Sequence, residues 1–373
     1  MREDSTGARM NRRGFLRVGA LAAAGTASSG FLGACSQVLS GDTADTGKKT
    51  LVVANWKNYG SDIPWALKQF KEQSGATVVH QYFNSEQQLL SMLKSGGVGK
   101  IDVALPNLAY VQPAIEDNLI QSVDPSTLSN YERLYPKLRD LEELKRDGNS
   151  YGIPWMWGTT NLGYNSSEIK DSINTWAVLW DPTYRGKVGF FDDPTTAILT
   201  ASLYLGENPE DPDLGKVEEA LVDLKPNVKT FWSSEDDWTK AFSTGAVTLG
   251  NVWSGLAGTM IAKGDPLTYL LPQEGGVGWV DTWTIVTDAP HKELAYQWID
   301  FMTGASFQSQ WAVDRRRSSP SPANQEAHEQ LGRKVVNRIQ DHPEWLERLA
   351  MQKGMPQEQL QEWTELWERV KVS

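Results

Sequence analysis

Gly275-Gly276-Val277-Gly278-Trp279-Val280-Asp281-Thr282-Trp283 places one carboxylate between two tryptophans in an apolar, glycine-loosened segment. On an extended backbone Trp279 and Asp281 face the same way, and Trp283 continues that face. An Asp in such surroundings is costly to desolvate unless a cation meets it. Aromatic faces beside a carboxylate suit an organic ammonium ion, because the ring quadrupole and the negative charge both attract it. The same stretch also reads as an edge strand whose Asp caps a turn and whose Trp residues fill a core. The rest of the chain decides between the two.

The chain has 373 residues, enough for two lobes, and 16 of them are Trp. Net charge is -11, of which the first 34 residues carry +3 and the remainder -14. So acidic a body argues against nucleic acid and suits cationic small ligands. Cys35 is the single cysteine, so no intrachain disulfide forms, and the four histidines are scattered without a metal-binding cluster. No cofactor is expected. Arg12-Arg13 followed by an Ala/Gly/Ser-rich run and then Phe31-Leu32-Gly33-Ala34-Cys35 resembles a twin-arginine export signal ending in a lipoprotein box. Residues 1–34 are therefore expected to be removed and Cys35 lipidated. Residues 35–49 then form a flexible tether that holds the body on the outer face of a membrane.

Leu51–Asn55, Thr77–Val79 and Ile101–Pro106 read as strands separated by two helices, the first opened by Asp62 and stopped by Gly75, the second opened by a Ser85/Gln88 capping box. Strand–helix–strand–helix–strand predicts a parallel sheet, whose ligands sit at the carboxyl ends of strands. Trp56, Tyr59 and Asn107 lie there. Residues 131–145 read as helix, and Tyr151–Asn165 as an extended aromatic strand crossing between lobes. A helix is expected at Thr175–Trp180. Asp193 follows the strand Lys187–Phe191 and opens a helix with Pro194; helix cap and ligand contact are equally open for it. Trp253 ends a further strand, and Thr284–Thr287 returns the chain to the first lobe. The expected lobes are 50–160 with 282–320, and 161–281 with 321–373. Trp345, Trp363 and Trp367 are expected to pack the C-terminal helices against the body.

Several of these segments, in this order and spacing, resemble the bacterial polyamine-binding proteins of ABC importers, the periplasmic spermidine/putrescine-binding type. They are Asn55-Trp56 with Tyr59; Gly152–Thr160 with Gly163-Tyr164-Asn165; Leu249–Gly255; and Glu274-Gly275-Gly276 with Trp279-Val280-Asp281. The resemblance runs from about Leu51 to Asn324. It implies a two-lobed α/β periplasmic-binding-protein fold of type II, with a ligand cleft between lobes joined by two crossover strands. It implies that Trp56, Tyr59, Trp253 and Trp279 line a putrescine or spermidine molecule, that Asp193 and Asp281 take its ammonium groups, and that Asn107 lies near it. The implied partner is a membrane permease, and the protein is taken to be a monomer. Three positions depart from the pattern: Thr196 replaces an acid, Ser319 replaces an aromatic residue, and Ala109 lacks a ring that Tyr110 carries next door. Arg315-Arg316-Arg317 precedes the Pro320 turn and reads as a solvated basic patch or as a partner for an acid. Another cationic or amino-acid-like ligand is the alternative for the same transport role. An enzyme is the other class: the Asp192/Asp193 pair suits glycoside chemistry, but a helix cap explains it more simply, and no nucleophile elbow or phosphate loop is present.

Overall fold

The computed structural model describes residues 49–313, 320–331 and 342–373. The signal segment, Cys35 with nearly all of its tether, Arg315–Arg317 and Ser319 lie outside the described residues.

The body opens with β1 (Thr50–Trp56), α1 (Pro64–Ser74), β2 (Thr77–Phe83), α2 (Glu86–Met92) and β3 (Val103–Ala104). β1 pairs in parallel with both β2 and β3, as the strand–helix alternation predicts. Asp62 does not cap α1. Ile63 holds that position, and Asp62 instead accepts the Asn58 N–H at 2.8 Å and the Tyr82 hydroxyl at 3.3 Å. Gly75, at φ +72°, stops the helix with its N–H on Lys71. Ser85 caps α2 through the Gln88 N–H, while the Gln88 side chain reaches Asn84, one residue short of a full capping box.

α3 (Val111–Glu116) and β4 (Ile120–Gln121) follow. The helix expected over 131–145 is broken. Tyr135 precedes Pro136 and is held extended at ψ 128°, which leaves α4 (Pro136–Arg139) as a single turn. A small ribbon, β5 (Lys145–Arg146) and β6 (Asn149–Ser150), ends this region.

β7 (Ile153–Asn165) is thirteen residues long and buried throughout. Beyond it come β8 (Val188–Phe191), α5 (Pro194–Leu205), α6 (Leu214–Leu224), β9 (Val228–Trp232), α7 (Glu235–Ser243), β10 (Leu249–Trp253), α8 (Ser254–Lys263), β11 (Leu267–Leu270) and β12 (Gly276–Val286). The helix expected at Thr175–Trp180 is a 3-10 turn, Trp176–Trp180, capped by Thr175. The chain closes with α9 (Lys292–Thr303), α10 (Ala305–Ala312), β13 (Ser321–Pro322), α11 (Gln325–Leu331), β14 (Leu349–Met351) and α12 (Gln357–Val372).

Apart from the β5–β6 ribbon, the strands form one curled sheet whose main order is β2-β1-β3-β12-β7-β10-β8-β9, with β4, β11, β13 and β14 paired off this path. β7 and β12 run antiparallel, with Val277 opposite Thr160 and Trp283 opposite Ile153. β12 starts beside β7 and β14 and ends beside β3 and β4. The register slips between Asp281 and Thr282. The extra residue is Trp155 of β7, between Met156 opposite Asp281 and Pro154 opposite Thr282, and Trp283 does not share an open face with Trp279 and Asp281. It is fully buried instead, tilted against Trp155 at 5.3 Å and edge-on to Trp298 at 5.7 Å.

Two apolar clusters flank the crossing strands. The first contains Phe70, Trp155, Trp283 and Trp298. The second contains Trp176, Phe190 and, from α12, Trp363 and Trp367. Trp345 is partly buried against the first. α11 also joins the first side: Asn324 donates to the Thr303 carbonyl and gives its N–H to the Gln308 side chain.

Asp102 ties the first sheet to α9. It has no exposed surface and accepts the backbone N–H groups of Val52 (2.8 Å) and His291 (2.7 Å). Asp102→Ala leaves both donors without that partner and is expected to cost about 3 kcal/mol. A lowered urea midpoint with intact ligand affinity is the expected result; an unchanged midpoint contradicts this role.

Candidate functional site

A cavity of about 1440 Å³ is lined by all seven positions singled out from the sequence: Trp56, Tyr59, Asn107, Asp193, Trp253, Trp279 and Asp281. Five of them sit at or just after strand ends, and Trp279 and Asp281 lie within β12. Trp56 is the last residue of β1, Trp253 the last of β10, and Asn107 follows β3.

Asp281 is 8 % exposed. Tyr59 donates its hydroxyl to Oδ2 at 2.6 Å, and the Asn107 amide donates to Oδ1 at 3.2 Å. Both donors are neutral. Burial pushes the Asp281 carboxyl up to about 6, against the opposing pull of these two hydrogen bonds. Burial, followed by the charge of Asp281, raises the Tyr59 hydroxyl well above its ordinary range, so it stays a donor. Tyr59 is fixed edge-on against Trp155 (5.4 Å, 87°) and Trp311 (5.3 Å, 85°), which stack on each other at 4.9 Å.

Trp279 reaches the cavity over Gly158. A Cβ there would lie 2.1 Å from Trp279 Cζ2, so the ring's place requires glycine. Trp56 packs edge-on to Phe83 at 4.8 Å, and Trp253 edge-on to Phe191 and Trp232 at 5.1 and 5.0 Å. These contacts leave the three rings half-buried, with surface turned to the cavity.

Asp193 caps α5, accepting the Thr196 N–H at 2.7 Å, and it also lines the cavity. Burial raises its carboxyl, opposed by the Thr196 hydrogen bonds. Gln352, just after β14, donates its amide to Asp193 Oδ1 (3.3 Å) and Thr196 Oγ1 (2.8 Å). Where an acid was expected at 196, a neutral hydroxyl–amide pair stands. Asp192 is engaged elsewhere, by Lys371 at 2.9 Å and the Trp367 indole at 2.8 Å.

The sequence reading missed several cavity residues. Glu86, between the capping residues Ser85 and Gln88, was not singled out. Tyr110, named only as the neighbour of Ala109, also lines the wall, as do Lys57, Glu235, Gln352 and Lys353. Lys353 is paired with Glu210 (2.7 Å) and Glu143 (3.4 Å). Nothing in the local pattern around Gln352 signals its place; the pairing of β14 with Gly276–Gly278 brings it there.

The raised Asp281 group gives a signed pH dependence. An Asp in the unfolded chain ionises near 3.8 and the folded one near 6, so this group's contribution to stability falls as pH rises from about 4 to 6. Without ligand at pH 7.5, Asp281→Asn should therefore be more stable than the wild type by up to about 3 kcal/mol, with the gap closing as pH falls from about 6 to about 4. Urea midpoints across pH 4–8 test this; a variant less stable than the wild type at pH 7.5 would contradict it.

A family model for bacterial extracellular solute-binding proteins matches residues 65–343. The chain is 33% identical over 257 residues to the spermidine/putrescine-binding periplasmic protein of Salmonella typhimurium, covering 68% of this chain and 72% of that one. It is 27% identical over 295 residues to the putrescine-binding periplasmic protein PotF of Escherichia coli, covering 74% and 78%. Among solved structures, the spermidine/putrescine ABC transporter substrate-binding protein PotD of Streptococcus pneumoniae superposes with a TM-score of 0.77 at 24% identity, covering 87% of this chain and 99% of that one. That likeness gives the two-lobed type II fold. These are transport proteins, and the glycoside-enzyme alternative falls with that finding. The chain belongs to the bacterial extracellular solute-binding proteins, within the polyamine-binding group that serves ABC transporters.

Proposed function

We propose that this protein captures a polyamine, putrescine or spermidine, in the cavity and delivers it to the permease of an ABC importer. The observation that carries the reading is Asp281: a buried carboxylate whose two oxygens meet only neutral donors among the described residues, two positions from the Trp279 ring. An ammonium group leaving water loses several kcal/mol of solvation. One carboxylate with two or three aromatic faces, at roughly 0.5–2 kcal/mol each, offsets that loss. In this reading Asp281 takes one ammonium group and Asp193 the other. Trp56, Tyr59, Trp253 and Trp279 cover the methylene chain, and Asn107 orients Asp281. The separation of the two acids sets the length selected.

We place the lobes on either side of the crossing strands: 50–160 with 282–320, and 161–281. Residues 321–331, bonded to Thr303 and Gln308, go with the first lobe, and 343–373, through α12, with the second. Closure about the ligand would exclude water and present a new surface to the permease. Export by Arg12-Arg13 and lipidation at Cys35 complete the reading.

Lys57 on the cavity wall and the Thr196–Gln352 pair beside Asp193 favour a second reading, a ligand with one ammonium end and one neutral or anionic end. Tryptophan fluorescence under titration with putrescine, spermidine, choline and basic amino acids separates the two. A response to a diamine, abolished in the folded double variant Asp193→Asn plus Asp281→Asn, is the expected outcome. Silence toward every polyamine sinks the first reading. In the native host, Cys35→Ser should move the protein from the membrane fraction to the soluble extracytoplasmic fraction; unchanged membrane association would remove the lipid anchor.

A further inference from the structure

Asn107 stands between two carboxylates. Its side-chain amide donates to Asp281 Oδ1, and its backbone N–H donates to Glu86 Oε1 at 3.1 Å. Glu86 opens α2 and lines the same cavity. Its second oxygen, Oε2, is buried and has no hydrogen-bond partner among the described residues. An acid in the first turn of a helix gains from the helix dipole, but that gain needs no buried oxygen. Leaving a carboxylate oxygen unmatched away from water is costly. Among the described residues, no lysine, arginine or histidine pairs with either Glu86 or Asp281. Burial and the charge of Asp281 hold the Glu86 carboxyl well above the ordinary range, with the Asn107 N–H pulling the other way.

The surrounding groups add negative rather than positive charge. Tyr59, in the loop after β1, is bonded to Asp281 and feels Glu86 and Glu235 of α7. Tyr110, after β3, feels Glu86 and Asp193 of α5 and accepts from the Gln87 amide at 2.9 Å. Lys57 and Lys353 are the lysines of the wall, and Lys353 already has Glu210 and Glu143. Two coupled carboxylates in such a place titrate as one unit.

We propose, resting on the amine-binding reading above, that Glu86 is a second carboxylate of the ligand site. With Asp281 it forms a two-acid end that holds one proton in the empty cleft and exchanges it for a primary ammonium group of the ligand. The charges balance. The empty pair with its proton carries one negative charge; the occupied pair carries two against one positive charge, and the proton passes to solvent. The exchange leaves the net charge of the buried end unchanged and gives Glu86 Oε2 a donor. It also gives the first lobe an acid of its own at this end, contributed by α2.

Calorimetry with putrescine at pH 6.5, in phosphate and in MES, tests this. The two buffers differ in ionisation enthalpy, so their difference reads the protons released. The wild type is expected to release about one proton per putrescine. Glu86→Gln, which keeps size and hydrogen bonding, is expected to bind at least tenfold more weakly and to release none. Glu86→Asp, with the charge drawn back, is expected to lose less affinity and to keep the release. Wild-type binding with an unaffected Glu86→Gln overturns the Glu86 assignment alone. Weakened binding by Glu86→Gln with wild-type proton release makes Glu86 a support for Asn107 and also overturns it. If the wild type binds no polyamine, the amine reading fails and the Glu86 assignment with it.

Discussion

A carboxylate held away from water, with no cation paired to it among the described residues, is the constraint on which this cavity depends. Asp281 sits where β12 passes the bulge that Trp155 makes in β7, and it lines the cavity while Trp283 is buried in the core. Its two hydrogen bonds come from neutral groups, and they offset only part of the desolvation. The neighbouring structure holds it there. Tyr59 cannot swing away, because Trp155 and Trp311 brace it edge-on. Gly158 clears the space that Trp279 occupies. In the proposed reading the empty protein keeps an unfavourable charge that a cationic ligand would relieve, so stability without ligand and affinity for ligand would pull in opposite directions at one residue.

Much of this was legible in the sequence. The alternation of strand and helix over 50–106 is local patterning, and the parallel β2-β1-β3 order follows from it. The aromatic strand ends and Asp281 were readable because rings and acids beside glycines mark places where a chain is not simply filling a core. What failed did so for identifiable reasons. Trp283 packs into the core because Trp155 and Trp298, both distant in sequence, cover it, and nothing in residues 279–283 encodes those contacts. Pro136 broke an apparent helix by forcing Tyr135 extended. Glu86 went unnoticed because its place at the cavity rests on Asn107, 21 residues away in sequence.

The C-terminal segment was the least legible part, because its contacts are all distant in sequence. β14 adds in parallel to Gly276–Gly278, directly before Trp279, and this sets Gln352 on Asp193 and Thr196. Lys353 then reaches Glu210 on one side and Glu143 on the other. The two ends of the cavity differ as a result. Among the described residues the Asp281 end is acidic with no cation paired to it, whereas the Asp193 end is tempered by an amide and a hydroxyl.

The most direct measurement is a crystal structure of the protein with putrescine bound. An amine nitrogen within hydrogen-bonding distance of the Asp281 carboxylate, with the adjoining methylenes against Trp279, is the predicted result. A ligand lodged in the cleft with its nitrogens away from Asp281, or Asp281 paired with a lysine or arginine of the protein itself, would contradict the account.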